Sequence, residues 1–332
     1  MGDAPRRRVA IACQGGGSHT AFTAGVLHGL VSGPPDDVEV VALSGTSGGA
    51  MCATLAWDGF VRGDPTRASS RLEAFWKAMS ASEPLDQITN QLVMGLMSLR
   101  DVMSLPETSP YNLPTWGEDH LRKILLEFFD FDELRELAGQ PGAPGLQIGA
   151  VEVLSGHFEI FTGKDLCAEC LLASAAVPEL FRAVRVPERG LYWDGLFSQN
   201  PPIHDLMVHG IDELWVIQIN PSTCASVPTE THEIVDRRNE LAGNLSMVQE
   251  LAFIEAINRG LARGVIVDPR YRPIQVSRIA LDRDLDYRSK IDRRPELINE
   301  LMEYGKMKWR WFLKERATKK LQADAASQRG AA

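Results

Sequence analysis

The chain of 332 residues predicts an α/β fold built on a mostly parallel sheet. Three observations point there. A short apolar run, Val9 to Cys13, leads directly into Gly15-Gly16-Gly17 and then into a segment with Phe22, Val26, Leu27 and Leu30 at helical spacing. The same grammar repeats at once: the run Val38 to Ser44, the turn Gly45-Thr46-Ser47-Gly48-Gly49, and a helical pattern through Trp57. Between the two units Pro34-Pro35 ends the first helix. Strand, turn, helix, break, strand, turn, helix suits parallel strands, because parallel neighbours need a long crossover that a helix supplies.

The remaining elements follow in order. Residues 69–140 read as mostly helical, interrupted at Pro106 and over Ser109 to Pro114. Leu146–Val153 and His157–Thr162 form the arms of a β-hairpin around Leu154-Ser155-Gly156. A helix from about residue 165 ends near Pro178, and residues 183–194 lead through a short strand into Tyr192-Trp193-Asp194-Gly195. Residues 212–220 are the strongest strand of the second half and stop at Pro221. A long helix spans about 233–262, a last strand 274–280 and a last helix 293–317. No internal repeat and no linker divides the chain, so one domain is expected over 1–318. It has a helical insertion at about 69–140 and a C-terminal helical region at about 233–318. Residues 319–332, rich in Ala, Gln and Lys, are expected to be a disordered tail.

Composition narrows the function classes. With 44% hydrophobic residues the chain can bury a sizeable core. Thirty-five Lys plus Arg against 44 Asp plus Glu leave a net charge of −9, a poor basis for binding nucleic acid. Five cysteines, an odd number, do not read as a disulfide framework. No run approaches the roughly 18 apolar residues of a spanning helix. The apolar run after Arg6-Arg7-Arg8 is too short for a signal peptide, and Arg6 argues against myristoylation at Gly2. A soluble, cytoplasmic protein is expected, with room for transient contact at a membrane surface.

Three constellations can carry chemistry. Gly45-Thr46-Ser47-Gly48-Gly49 is a G-x-S-x-G between a strand and a helix, the setting a nucleophile elbow needs. The helix N-terminus would offer free N–H groups to a developing oxyanion. The plainer reading is a Gly-rich turn with a capping Ser. Gly15-Gly16-Gly17 can aim successive N–H groups at one anion. A dinucleotide loop is disfavoured, since its third glycine would fall where Thr20 stands. Asp194-Gly195, followed by Asn200-Pro201, can project a carboxylate from a strand end, or be a simple Asp–Gly turn.

Together these segments resemble the patatin-like phospholipases. Gln14 to Leu27 is similar to that family's glycine-rich opening, and Ser44 to Ala50 to its nucleophile elbow. Ala173-Ser174-Ala175-Ala176-Val177-Pro178 with Phe181 is similar to the segment before its Asp motif, and Asp194-Gly195 with Asn200-Pro201 to that motif. The four occur in family order over about residues 8–220. The resemblance implies a three-layer α/β/α fold and a Ser-Asp dyad: Ser47 as nucleophile, Asp194 as general base, and an oxyanion hole of the Gly16 and Gly17 amides with Gly15 and Gly48. It implies cleavage of fatty-acyl esters of phospholipids or related lipids, with no cofactor and no metal. The same dyad would serve an acyltransferase, a thioesterase or a short-chain esterase, and an idle dyad would leave a lipid-binding protein. The chain departs from the family where a basic residue and a glycine usually follow the loop, here His19 and Thr20, and at Leu196, where Gly or Ala is usual. His19 could supply the missing charge if protonated.

Other features invite quieter readings. His204 or His209 could complete a Ser…Asp…His order, although both follow Asp194 closely. Cys167-Ala168-Glu169-Cys170 lacks a second ligand pair and reads as two helix-face thiols. Met94, Met97 and Met103 lie in an apolar stretch that is either core helix or an acyl-chain pocket. The mixed-charge runs Asp236 to Glu240 and Asp282 to Arg294 read as solvated, and a basic cluster from Lys306 to Lys320 as an exposed helix face.

Overall fold

The computed structural model describes residues 5–102, 109–178 and 180–330. In chain order the elements are β1 (Arg7–Cys13), α1 (Ala21–Ser32), β2 (Val38–Gly45), α2 (Gly48–Arg62), α3 (Pro65–Met79), α4 (Pro84–Val102), α5 (Trp116–Phe128), α6 (Phe131–Ala138), β3 (Gly145–Glu152), β4 (Phe158–Thr162) and α7 (Ala168–Ser174). After these come β5 (Val184–Val186), β6 (Gly190–Asp194), β7 (Glu213–Gln218), α8 (Thr231–Ala262), β8 (Gln275–Ala280) and α9 (Pro295–Gly330). The sheet runs β5-β6-β3-β2-β1-β7-β8, with β4 also on β3. The stretch β3-β2-β1-β7-β8 is parallel throughout, while β4 and β6 pair antiparallel to β3.

Alternation along β1 divides the core into two sides. Val9, Ile11 and Cys13 join the cluster that holds Phe22, Leu27, Trp57, Phe75 and Leu301, beneath α1, α2, α3 and α9. Ala10 and Ala12 face the other way, into a smaller cluster with Leu206, Met247, Leu251 and Ile254, where α8 covers the sheet. The expected three-layer α/β/α class is thus observed, with the helices α3 to α6 inserted between α2 and β3. α1 and α9 meet backbone to backbone: a Cβ on Gly25 would overlap the Met302 carbonyl, and one on Gly305 that of Phe22.

The structure adds to the sequence reading in two places. Residues 183–194 form two strands, β5 and β6, because Pro187-Glu188-Arg189 turns the chain back, with Glu188 at φ 61°. α9 continues through the residues expected to form a loose tail, since their Ala, Lys and Gln are good helix formers. Much of the basic cluster there is paired: Arg316 binds Asp37 and the buried Glu213, and Lys308 binds Asp282.

The layout of β3 places the site. β4 occupies one edge of β3 over residues 147–151, so β2 and β6 must share the other edge. β2 ends with Gly45 opposite Ile148, and β6, running the other way, ends with Asp194 opposite Ala150. The two strands stop facing one another across Gly149. A Cβ at Gly149 would lie 2.9 Å from both the Gln199 carbonyl and Thr46 Oγ1, and 3.0 Å from Pro202 Cγ. Substituting Gly149→Ala is therefore expected to cost about 1–3 kcal/mol in urea denaturation, the usual penalty of overpacking. Gly95→Ala, in α4 with open space around it, is expected to be neutral or to stabilise by up to about 1 kcal/mol.

Candidate active site

Ser47 stands between the end of β2 and the first residue of α2, with φ 56° and ψ −131°. Few non-glycine residues occupy this region, and strain of this kind costs about 1–3 kcal/mol. The surroundings hold it there. The Ser47 N–H donates to Ser174 Oγ at 3.0 Å, and the Ser174 hydroxyl donates to the Gly149 carbonyl at 2.7 Å. One serine thus ties the elbow to the glycine between the two strand ends. Its own position is set by α7, whose last residue it is.

Asp194 ends β6 and is 1% exposed. Its carboxylate accepts the Leu196 N–H at 2.7 Å, and the nearby Ser47 hydroxyl also favours its charged form. Burial outweighs both influences and raises its pKa to about 7. The strand ends therefore bring together the hydroxyl and carboxylate singled out from the sequence, one residue held in strain and the other kept easy to protonate.

The glycine loop lies alongside. Gln14, fully buried, spends its whole side chain on the surroundings. Its Oε1 accepts the Ile219 and Asn220 N–H groups at 2.8 Å each, and its Nε2 donates to Asn244 Oδ1 at 2.8 Å and to the Gly243 carbonyl at 3.2 Å. Gly15 needs correction as an oxyanion donor, because its N–H already donates to Asn200 Oδ1 at 2.7 Å. It is glycine for room: a Cβ there would lie 2.9 Å from Ser47 Cβ. The amides of Gly16, Gly17 and Gly48 sit at the starts of helical turns, the turn Gly17–Thr20 and α2, where N–H groups lack an intrahelical acceptor.

The departures at 19, 20 and 196 are now explained. His19 does not carry the charge expected of that position. It is buried, and its pKa is lowered to about 3, first by burial and then by the charge of Lys290. Its Nε2 meets Ser289 Oγ at 2.6 Å. Thr20 donates its hydroxyl to the Gly17 carbonyl at 2.6 Å and packs on Gly48. Leu196 reaches α8, its Cδ1 2.9 Å from where a Gly243 Cβ would stand.

Neither histidine considered for a triad acts on Asp194. His209 packs on Gly145, the first residue of β3, and its carbonyl accepts from Arg8 at the start of β1. His204 is exposed, with Asp205 4.0 Å away. Cys167 and Cys170 bring their sulfurs to 2.9 Å at the start of α7. Met94 is half-buried on α4, the Met97 side chain and Met103 lie outside the described residues, and Leu85, Ile88 and Leu92 of α4 are exposed rather than core.

The sequence reading quoted Gln14, Ser174 and Asn200 within motifs but gave them no part. Polar residues amid apolar or small neighbours were the available signal. Asn220, Asn244 and Lys290 gave none, and the charged run 282–294 is not simply solvated, since Asp292 is buried and receives Asn90 Nδ2 at 3.1 Å.

Among solved structures the chain is similar to VipD from Legionella pneumophila, at 14% identity and a TM-score of 0.45, over 94% of this chain and 67% of that one. It is also similar to the type III effector protein ExoU, at 14% identity and a TM-score of 0.37, over 94% of this chain and 54% of that one. A heterodimeric ExoU-SpcU complex from Pseudomonas aeruginosa matches at 12% identity and a TM-score of 0.34, over 94% of this chain and 52% of that one. No curated protein matches the sequence. The family model for patatin-like phospholipases matches residues 11–207, more than half the chain and every segment of the site from the glycine loop to the Asp turn. This chain belongs to the patatin-like phospholipase family.

Proposed function

We propose that the chain is a serine acyl hydrolase that cleaves fatty-acyl esters of lipids through an acyl-enzyme on Ser47, with Asp194 as the base. The observation that carries the reading is the meeting of a strained, glycine-flanked serine with a buried carboxylate of raised pKa, on which the serine hydroxyl acts directly. A serine hydroxyl is a weak nucleophile until a base takes its proton. A carboxylate with a pKa near 7 is a far better base than one near 4. As Ser47 Oγ attacks the ester carbonyl, Asp194 accepts the proton, and negative charge grows on the carbonyl oxygen. The Gly16, Gly17 and Gly48 amides receive that charge, helped by the α2 N-terminus. Asp194 then protonates the departing alcohol, and in the second half takes a proton from water as it attacks the acyl-Ser47 ester and returns it to the departing Ser47 Oγ, releasing the fatty acid. Family membership supports the lipid ester as substrate. Among the described residues no helix is long and apolar enough to cross a membrane.

Two outcomes check this reading. Ser47→Ala and Asp194→Asn are expected to lower p-nitrophenyl ester turnover by at least about 10³-fold, with Ser47→Ala also losing fluorophosphonate labelling. In the wild type, kcat/KM is expected to fall about tenfold per pH unit below 7, as Asp194 gains its proton.

The raised pKa also has a sign for stability. Protonated Asp194 is favoured by the fold, so its stabilising contribution is full below the ordinary carboxylate range and is lost as pH rises through about 7. Asp194→Asn keeps an oxygen for the Leu196 N–H and removes the charge. It is expected to unfold at a higher temperature than wild type at pH 8, with the gap narrowing below about pH 7 and closing below about pH 4 in a pH series of melting curves.

A further inference from the structure

Cys167 and Cys170 take no part in the Ser47 site. Cys167 is the residue just before α7, in extended conformation at φ −149° and ψ 167°, and Cys170 lies in the first turn of that helix. The Cys170 N–H donates to the Cys167 carbonyl at 3.1 Å, so the two residues close one turn and their side chains share a face. Their sulfurs lie 2.9 Å apart. A disulfide holds its sulfurs at about 2.05 Å, so closure asks for a movement of less than about 1 Å. Among the described residues no group of three metal-ligating side chains forms, which leaves the pair short of the ligands that structural zinc takes.

The two sulfurs differ in ways that give them separate parts. Cys167 is half-buried, while Cys170 has no exposed surface. The Cys170 S–H has two acceptors in reach, the Cys167 sulfur and the Asp165 carbonyl at 3.3 Å. The hydrogen bond from Cys170 holds the Cys167 thiol below its ordinary pKa, and the same bond, with burial, pushes Cys170 far above it. Of the charges nearby, Arg189 acts on Cys170 and is shared with Asp165 and Glu159, while Glu169 acts on Cys167 and is paired with Arg122. The other thiols are unlike these. Cys13 and Cys52 are fully buried and raised by that burial, Cys52 to about 12. Cys224 is exposed, and its S–H donates to the Ser226 carbonyl at 3.1 Å.

We propose that Cys167 and Cys170 form a reversible dithiol–disulfide site oxidised by hydroperoxides, with Cys167 as the attacking sulfur and Cys170 as the sulfur that closes the bond. The Cys167 thiolate attacks one peroxide oxygen and the O–O bond breaks. Cys167 becomes a sulfenic acid, and the departing oxygen takes the proton that Cys167 gave up. The Cys170 sulfur then attacks the Cys167 sulfur. The S–S bond forms as the S–O bond breaks, and hydroxide leaves with the Cys170 proton as water. The pair loses two electrons and two protons, and the hydroperoxide becomes two waters, or one water and an alcohol. A dithiol reverses the step by exchange and ends as its own disulfide. Nothing in this sequence draws on Ser47 or Asp194, so it goes beyond the acyl-hydrolase reading and does not depend on it.

Trypsin releases residues 165–182 as one peptide, which holds Cys167 and Cys170 and no other cysteine. After the folded 332-residue chain meets about one equivalent of hydrogen peroxide, that peptide is expected to lose two hydrogens by mass and to resist iodoacetamide. Dithiothreitol is expected to restore both properties. Cys224 serves as the reference within the same chain, and the pair is expected to oxidise at least about tenfold faster. Cys170→Ser is expected to stop at the sulfenic acid, which dimedone captures on Cys167. Cys167→Ser is expected to leave Cys170 unreacted. A peptide that stays reduced, oxidises no faster than Cys224, or passes to sulfinic acid with no disulfide overturns the proposal. Dimedone capture on Cys170 in Cys167→Ser overturns it as well. Where a variant does not fold, the mapping of the wild type decides alone.

Discussion

Strands β2 and β6 reach one edge of β3 from opposite directions and stop two residues apart, with Gly149 between them. Everything at the site follows from that meeting. A strand that ends must turn, and each turn here is forced into the space the other leaves. The elbow after β2 puts Ser47 at the head of α2, and the turn after β6 leaves Asp194 facing it. A Cβ on Gly195 would lie 2.7 Å from the Gly149 carbonyl and 3.0 Å from Thr46 Cγ2, so the two turns are packed against each other as well as against β3. The same carbonyl takes the Ser174 hydroxyl that steadies Ser47. A short strand pairing thus does what a long loop would do poorly, because backbone hydrogen bonds on a shared strand fix the separation of two side chains more firmly than loop contacts.

The polar groups around this core answer two opposed demands. Asp194 is dry enough to hold its proton up to about pH 7 and bonded enough to ionise above it. The Leu196 N–H and the nearby Ser47 hydroxyl are the compromise, and both come from residues that the site positions for other reasons. The glycine loop faces a different demand, since it must keep its backbone in place without side chains of its own. Gln14 provides that support by spanning from β1 to β7 and α8, and Asn200 anchors the first glycine from the Asp turn. Buried amide networks of this kind are costly when half satisfied and rigid when complete.

The early part of the sequence is unusually legible because its signals are local. Strand, glycines and helix occur within 20 residues, twice, and the G-x-S-x-G motif means the same thing in the sequence as in space. The strained turn at Ser47 was readable for that reason, and so was the sheet class. The oxyanion assignment of Gly15 was not, because its amide is taken by Asn200, 185 residues away. His19 looked like a candidate cation because only tertiary packing reveals that it is buried. Residues 282–294 looked solvated because their charge pattern carries no hint that Gly17, lacking a side chain, leaves a seat for Lys290. β5 and β6 merged into one strand on reading because three-residue β5 is too short to show a period of two.

The matched family segment ends at residue 207, yet the glycine loop leans on residues that come later. Ile219 and Asn220 hold Gln14, Gly243 and Asn244 complete its bonds, Lys290 presses on Gly17, and α9 is packed against α1 at Gly25. Contacts between the first 30 residues and the last 45 are also the slowest to form, since they close the longest loops. During synthesis both Ser47 and Asp194 therefore leave the ribosome well before the scaffold that orders the loop beside them. The order of translation gives the growing chain a stretch of time in which Ser47 and Asp194 exist while the loop beside them is not yet ordered, and the candidate site is completed only as the last helix docks.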